Sequence, residues 1–330
     1  MLFNIPIIII YRCSLVTDPR VKDWPMMSSP WPTLAACVCY AICARKIGPA
    51  LMANRKPFEL RNVLVVYNLA QTIFSAWIFY EYLASGWWGH YDFRCQLVDY
   101  SRSPKAMRVM SLLRQMANTC WWYYFSKFTE FFDTLFFVLR KKNEHVSTLH
   151  VIHHGIMPMS VWFGLKFAPG GHSTFFALLN TFVHIVMYFY YMVSAMGPKY
   201  QKYIWWKKYL TAFQMVQFVL IFSHQLQVLF RPSCQYPRVF VYWIAMHGFL
   251  FLFLFSDFYK ARYNKAGRKS KITNGLCMVS HLEHFQVFIL VTYQASVLVA
   301  IWSPWILCCC VAISKADGHF KQCRQAHPSR

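Results

Sequence analysis

His150-Val151-Ile152-His153-His154 opens an apolar run that continues to Phe167. Its three imidazoles stand at i, i+3 and i+4, so on a helix they share one face. A basic cluster, Arg140-Lys141-Lys142, comes just before. Histidines grouped on one face at the edge of an apolar segment bind metal, carry protons or acyl groups, or form a hydrated surface patch. Ionisable groups at membrane depth are costly and mark functional sites by default, which favours the chemical readings.

The chain around this stretch is too apolar for an ordinary soluble domain: 57% of its 330 residues are hydrophobic and 19% aromatic. Its net charge of +22 comes from 34 basic against 12 acidic residues. The positives fall between long apolar runs, which reads as membrane topology plus a site for anionic ligands and not as nucleic-acid binding. Twelve cysteines without a CxxC pair suggest neither a zinc framework nor a disulfide-rich secreted scaffold.

Seven apolar spans, at about 31–51, 62–85, 119–139, 146–167, 174–196, 209–230 and 238–258, each approach the ~20 residues a helix needs to cross hydrocarbon. They predict an all-α integral membrane protein. Arg45 and Lys46 interrupt the first span, and Lys127, Glu130 and Asp133 lie inside the third. Ile5–Ile10 has no basic residues before it and no small-residue cleavage site behind, so no signal peptide is predicted. Residues 12–33, polar and rich in proline, read as a lead-in outside the membrane. A candidate eighth apolar segment, 285–313, ends in Cys308-Cys309-Cys310, open to palmitoylation if cytosolic, with simple packing as the alternative. The expected organisation is a lead-in at 1–30, a membrane domain at 31–272 and a C-terminal extension at 273–330.

The loops after spans one, three, five and seven carry 18 lysines and arginines, against 10 at most on the other side. Positive-inside then places the N-terminus outside the cytosol and residues 259–275 within it. Cys95 and Cys234 fall in loops on the non-cytosolic side. On topology alone, a bridge between them and two separate thiols both remain open.

Polar residues inside spans usually face a partner or a wet cavity. Lys127, Glu130, Asp133 and Thr134 step by three and four along one helix face, and Lys127 can pair with Glu130. An ion pair that only fixes packing is the plain alternative. His184, Tyr188 and Tyr191 share a face of span five, with Asn180 one turn before. Thr211, Gln214 and Gln217 form a stripe on span six, readable as interhelical hydrogen-bond glue. Taken together, four helices bring His, carboxylate, Lys, Gln and Tyr to one zone within about 15 Å of the cytosolic face. That convergence reads as an active site open to the cytosol above an apolar channel.

Four blocks carry a family resemblance: Lys127-Phe128-Thr129-Glu130-Phe131-Phe132-Asp133-Thr134, His150-Val151-Ile152-His153-His154, His184-Ile185-Val186-Met187-Tyr188-Phe189-Tyr190-Tyr191 and Thr211-Ala212-Phe213-Gln214-Met215-Val216-Gln217. So do the flanks Asp18-Pro19-Arg20-Val21, Asn54-Arg55-Lys56-Pro57-Phe58-Glu59 and Asp99-Tyr100-Ser101-Arg102-Ser103-Pro104. Over roughly residues 17–272 the chain resembles the very-long-chain fatty acid elongases, the 3-oxoacyl-CoA synthases of the endoplasmic reticulum. The resemblance implies seven transmembrane helices, six of them in an inverted barrel around an acyl tunnel. It implies condensation of acyl-CoA with malonyl-CoA, both substrates, with no cofactor and no metal. It also implies a Cys95–Cys234 disulfide and, from Leu149-His150, a saturated or monounsaturated acyl preference. Membrane lipid surrounds such a protein. A homo-oligomer and association with the other enzymes of the elongation cycle are the protein partners to expect, and nucleic acid is not. Two positions depart from the family pattern: His145 stands where Gln is usual, and Gly155 where Ala or a small hydroxyl residue is. Residues 276–330 match nothing in that pattern, and Ser329-Arg330 is not the dilysine retrieval signal often found there.

None of the four blocks contains a cysteine nucleophile. The expectation is therefore an acyl-imidazole, on His153 first and His154 second, with His150 in the same cluster and His184 as partner base or enolate stabiliser. Asp133 and Glu130 would orient imidazoles. Gln214, Gln217 and Asn180 would donate to an oxyanion. Lys202, Lys207 and Lys208 would meet CoA phosphates, with Lys127, Tyr188 and Tyr191 completing the substrate-facing set. Two rival readings are a di-metal desaturase or hydroxylase, which needs more histidine clusters than this chain has, and a seven-helix transporter or receptor, which leaves the four polar blocks without a purpose.

Overall fold

In the computed structural model, residues 17–100, 116–260 and Tyr263 are described. Among them every regular element is helical and no strand occurs. Eight helices carry the fold: α1 (Trp31–Met52), α2 (Arg61–Trp87), α3 (Met116–Thr129), α4 (Phe131–Leu139), α5 (Thr148–Phe167), α6 (Thr174–Ala195), α7 (Lys207–Leu226) and α8 (Arg238–Tyr259). By internal contacts the chain separates into Met1–Ala266 and Gly267–Arg330. The second unit, with the apolar segment at 285–313 and the triple cysteine, lies outside the described residues.

Helices occur at each of the seven expected places. Five helical stretches are long and apolar enough to cross a membrane: Trp31–Met52, Arg61–Trp87, Gly171–Ala195, Lys207–Phe230 and Arg238–Tyr259. The 22 residues of the shortest of these give about 33 Å of helix, against about 30 Å of hydrocarbon. The remaining two stretches, α3–α4 and α5, carry the charged and histidine blocks, which lowers their hydropathy. Arg45 and Lys46 do not stop α1; the helix passes them in a π-turn, Cys43–Ile47. The third span is not one rod. The helix breaks at Glu130, whose carbonyl accepts from Asp133 N at 3.2 Å in a tighter i+3 turn. The sequence gives no warning there, because no Pro or Gly marks the break and the polar spacing runs through it.

Local chemistry sets the other ends. Ser147 is the N-cap of α5 and accepts from His150 N at 3.2 Å, so the histidine block begins in the first turn. Pro158 sits inside α5, tolerated where neighbouring helices satisfy the freed backbone groups. Between α5 and α6 the chain turns on Gly170 and Gly171, both with positive φ. A side chain at Gly171 would stand 3.0 Å from the Gln96–Val98 backbone, which comes close enough for His172 N to donate to Gln96 O at 2.8 Å.

Neighbouring helices close into a cycle: α2 packs on α6, α6 on α7, α7 on α8, α8 on α5, α5 on α3, and α3 back on α2. The first helix lies against α5 and is not a member of that cycle. At one end of the unit the basic connections meet. Arg45 donates to Thr148 Oγ1 at 2.7 Å, Lys141 Nζ to Ala53 O at 3.0 Å, and the Arg61 guanidinium to Met196 O. At the opposite end Cys95 and Cys234 are disulfide-bonded, with Cα atoms 5.8 Å apart and 139 residues between them in sequence.

Residues 17–30 are more than a lead-in. Val21 and Met27 are fully buried. Asp18 N donates to Lys166 O at 3.0 Å, Lys166 Nζ to Met27 O at 2.7 Å, and Trp162 Nε1 to Met26 O at 2.9 Å. The segment is a strap that satisfies groups at the C-terminal end of α5, which otherwise lack helical partners. Asp18 also holds Arg20, and that hydrogen bond raises the guanidinium pKa above its ordinary value.

The disulfide closes a long loop, so its loss is felt mainly in the unfolded chain. Loop entropy gives a ceiling of about 5 kcal/mol, and the usual range is about 2–4 kcal/mol. A Cys95→Ser protein in detergent should therefore unfold at a clearly lower temperature than the wild type under non-reducing conditions. Identical melting curves would mean that the bridge contributes nothing.

Candidate active site

The α3–α4 break places Glu130 at the centre of the polar network. Its carboxylate is 2% exposed and the Lys127 ammonium 1% exposed, so both charges depend on protein partners. Lys127 Nζ donates to Glu130 Oε1 at 2.5 Å and to Asn180 Oδ1 at 3.1 Å, and lies 4.5 Å from the centre of the Tyr123 ring. The Tyr123 hydroxyl also donates to Asn180 Oδ1, at 2.8 Å. With two donors on its oxygen, the Asn180 amide must turn its NH2 the other way, toward His184 Nε2 at 3.4 Å. His184 Nε2 therefore accepts, and His184 Nδ1–H points at Glu130 Oε1, 3.3 Å away. The other Glu130 oxygen faces His154 Nδ1 at 3.6 Å, an electrostatic contact longer than a hydrogen bond. One carboxylate thus stands between imidazoles from α5 and α6.

The three histidines of α5 have separate environments. His150 Nε2 lies 2.7 Å from Thr134 Oγ1, and its ring centre is 4.3 Å from that of His154. Among the described residues no group hydrogen-bonds either nitrogen of His153; its ring packs on His154 at 5.1 Å and on Phe251 of α8 at 4.8 Å. The His154 ring makes no hydrogen bond either, its Nδ1 being buried without a hydrogen-bond partner, but it faces the Glu130 carboxylate; His153 has neither a hydrogen bond nor a carboxylate within 4 Å among the described residues.

Other expected site residues lie at varying distance from this centre. Asp133, in the helix that restarts after Glu130, accepts from the Tyr188 hydroxyl of α6 at 2.8 Å and, among the described residues, from no imidazole. Tyr191 packs on Tyr188 at 6.2 Å. Gln214 donates to Met187 Sδ at 3.5 Å, and buried Gln217 leaves Oε1 without a hydrogen bond. Lys202 and Lys208 lie over Tyr203 and Tyr209, exposed beside Lys207 at the basic end. The structure brings Lys127, Glu130, His154, Asn180 and His184 together and leaves the lysines of α7 outside that network.

Below Tyr123 is an apolar cavity lined by Tyr82, Cys120, Val161, Leu165, Ala177 and Phe240, among others. Tyr123 is shared: its ring lines the cavity and its hydroxyl joins the network. Sequence reasoning missed Tyr123, Tyr40, Phe251 and His247. His247 is buried, donates Nδ1–H to Trp243 O at 2.8 Å and lies 6.1 Å from Phe251. Its spacing of four from Trp243 and Phe251 on one face of α8 is the signal that could have found it.

The two departures from the family pattern fall differently. His145 sits in the Asn143–His145 turn, 3.8 Å from Glu144, and the Phe137 ring packs on both it and His150, at 5.2 and 5.7 Å. Gly155 faces Tyr40: a Cβ there would meet Tyr40 Cδ1 and Cε1 at 3.9 Å, an ordinary contact. Gly155→Ala should stabilise the protein by about 0.5–1 kcal/mol, because it removes backbone freedom without a clash. A higher unfolding temperature with activity retained is the expected result; a lower one would show that α5 needs the glycine.

Residues 25–271 match the ELO (GNS1/SUR4 family) model. A very long chain fatty acid elongase of Aedes aegypti is 64% identical over 253 residues, 76% of this chain and 68% of that protein. Very long chain fatty acid elongase 7 of Drosophila melanogaster is 62% identical over 255 residues, 77% of this chain and 75% of that protein. The elongase 7 of Rattus norvegicus is 54% identical over 267 residues, 80% and 92% of the two chains. With the Lys127–Glu130 pair and the imidazoles of α5 and α6 on the stretch so matched, the chain belongs to the very long chain fatty acid elongase family.

Proposed function

We propose that this protein works in fatty acid elongation as the condensing enzyme, a 3-oxoacyl-CoA synthase joining a long-chain acyl-CoA to malonyl-CoA. The observation that carries this reading is the division of the imidazoles: Glu130 engages His184 and faces His154, while His153 keeps both nitrogens uncommitted beside Phe251. In the proposed first step a His153 nitrogen attacks the acyl thioester carbonyl. The C–S bond breaks and CoA leaves as a thiol, taking the imidazole proton. Malonyl-CoA then loses CO2, its C2 carbanion attacks the acyl carbon, and the C–N bond breaks. The imidazole recovers a proton, so each turn consumes one proton and releases CO2, CoA and the 3-oxoacyl-CoA.

His184, its Nδ1–H directed at Glu130, presents an unprotonated Nε2 suited to a partner base, and the Asn180 amide N–H now on Nε2 is the donor that could turn to an enolate oxygen. The cycle of helices is read as the barrel and the apolar cavity under Tyr123 as part of the acyl path. Lys202, Lys207 and Lys208, at the basic end, would take the CoA phosphates. The multiple apolar helices make this a multi-pass membrane protein. The proposed setting is the endoplasmic reticulum, with the disulfide end luminal and the basic end cytosolic, as positive-inside requires. The test is the full chain in microsomes, given radiolabelled malonyl-CoA and a panel of saturated acyl-CoAs. Label in a 3-oxoacyl product two carbons longer is expected. Correct insertion with no such product would overturn the assignment.

A further inference from the structure

Tyr40 belongs to α1, the helix outside the cycle, yet its hydroxyl reaches the site. The residue is 7% exposed, its ring stacks on Phe131 at 4.3 Å, and its OH lies 2.8 Å from Thr134 Oγ1. Thr134, 3% exposed, lies in turn 2.7 Å from His150 Nε2. Each hydroxyl has one proton to give. A phenol buried this deeply must place its proton on an acceptor, and Thr134 is the hydrogen-bond partner it has among the described residues. Thr134 therefore accepts from Tyr40, and its own proton goes to His150 Nε2. An imidazole that accepts at Nε2 carries its proton on Nδ1.

We infer that Tyr40 is a positioning residue: through Thr134 it fixes His150 as the neutral Nδ1–H tautomer, ties up Nε2, and so keeps His150 from competing with His153 for the acyl group. This rests on the acyl-histidine reading for its purpose, but not for its geometry. The reverse order, with Nε2–H donating to Thr134 and Thr134 to Tyr40, would leave the buried phenol proton without an acceptor. Tyr40 also lies on the face of α1 that packs against α5 beside the site, opposite Gly155.

The test uses the full chain in detergent, labelled with 15N-histidine, with His150 assigned by its disappearance in His150→Gln. In the wild type His150 should show a protonated Nδ1 and an unprotonated Nε2, and in Tyr40→Phe the two tautomers should mix. Turnover of Tyr40→Phe should fall roughly 10-fold, the rate equivalent of one hydrogen bond, with the KM for both CoA substrates little changed. Thr134→Val should lose the same amount, Thr134→Ser should restore it, and the Tyr40→Phe/Thr134→Val double variant should be no slower than Thr134→Val alone. A wild-type His150 protonated on Nε2, or additive losses with an unaltered tautomer in Tyr40→Phe, would overturn the inference. Because the resonance signature needs no turnover, absence of an acyl adduct on His153 would remove the acyl-histidine reading while leaving the tautomer assignment intact.

Discussion

A His153→Ala protein is expected to take up no acyl group from acyl-CoA and to turn over about 10⁴-fold more slowly or worse, the scale of losing a nucleophile. It should nevertheless remain folded. His153 is half-buried, makes no hydrogen bond among the described residues, and contributes packing against His154 and Phe251. Its removal trims contacts without stranding a charge. Mass spectrometry after exposure to acyl-CoA alone, with malonyl-CoA withheld, reads the result directly. The wild type should carry the acyl mass on a peptide containing His153. An undiminished adduct in the variant would move the nucleophile to another side chain, and His154 would be examined next.

Glu130→Ala should damage the fold and the chemistry together. The substitution leaves the Lys127 ammonium, 1% exposed, with Asn180 Oδ1 as its remaining hydrogen-bond acceptor. Breaking one side of a buried pair costs about 3–5 kcal/mol, because the other charge stays behind unpaired. Replacing both partners, as in Lys127→Met/Glu130→Gln, should recover most of that stability, since neither charge is then buried. Activity should not return with it, because His154 and His184 lose the carboxylate between them. Thermal unfolding and turnover measured on the same samples separate the two roles. If the double variant regains both, Glu130 is a packing residue and the imidazoles are oriented by something else.

Much of this site could be read from helical spacing. Lys127 and Glu130 pair as their interval of three suggests, and the blocks on α5 and α6 each present a histidine to Glu130, as polar residues repeating on a single helix face allow. The resemblance, not the spacing, supplied the Cys95–Cys234 bridge that the structure contains. Other features stayed hidden for physical reasons. No Pro or Gly marks the break at Glu130, and the partners its side chain meets there, His154 and His184, come from distant parts of the chain. Asp133 keeps the helical interval of its block, yet its partner is Tyr188. Tyr40 is one aromatic among many, and its partner Thr134 is 94 residues away. Residues 17–30 look polar and proline-rich, and only the folded chain shows Val21 and Met27 fully enclosed.

The strap also has a schedule. Its partners Trp162 and Lys166 lie 136 and 139 residues further along the chain. At about 5–20 residues per second of synthesis, the strap exists for about 7–28 s before α5 has been made. Over that interval Val21 and Met27 have no native neighbour on α5, and when α5 is made its Lys166 carbonyl meets a donor, Asp18 N–H, that is already waiting. The strap is thus made early but is among the later parts of this unit to reach its final place.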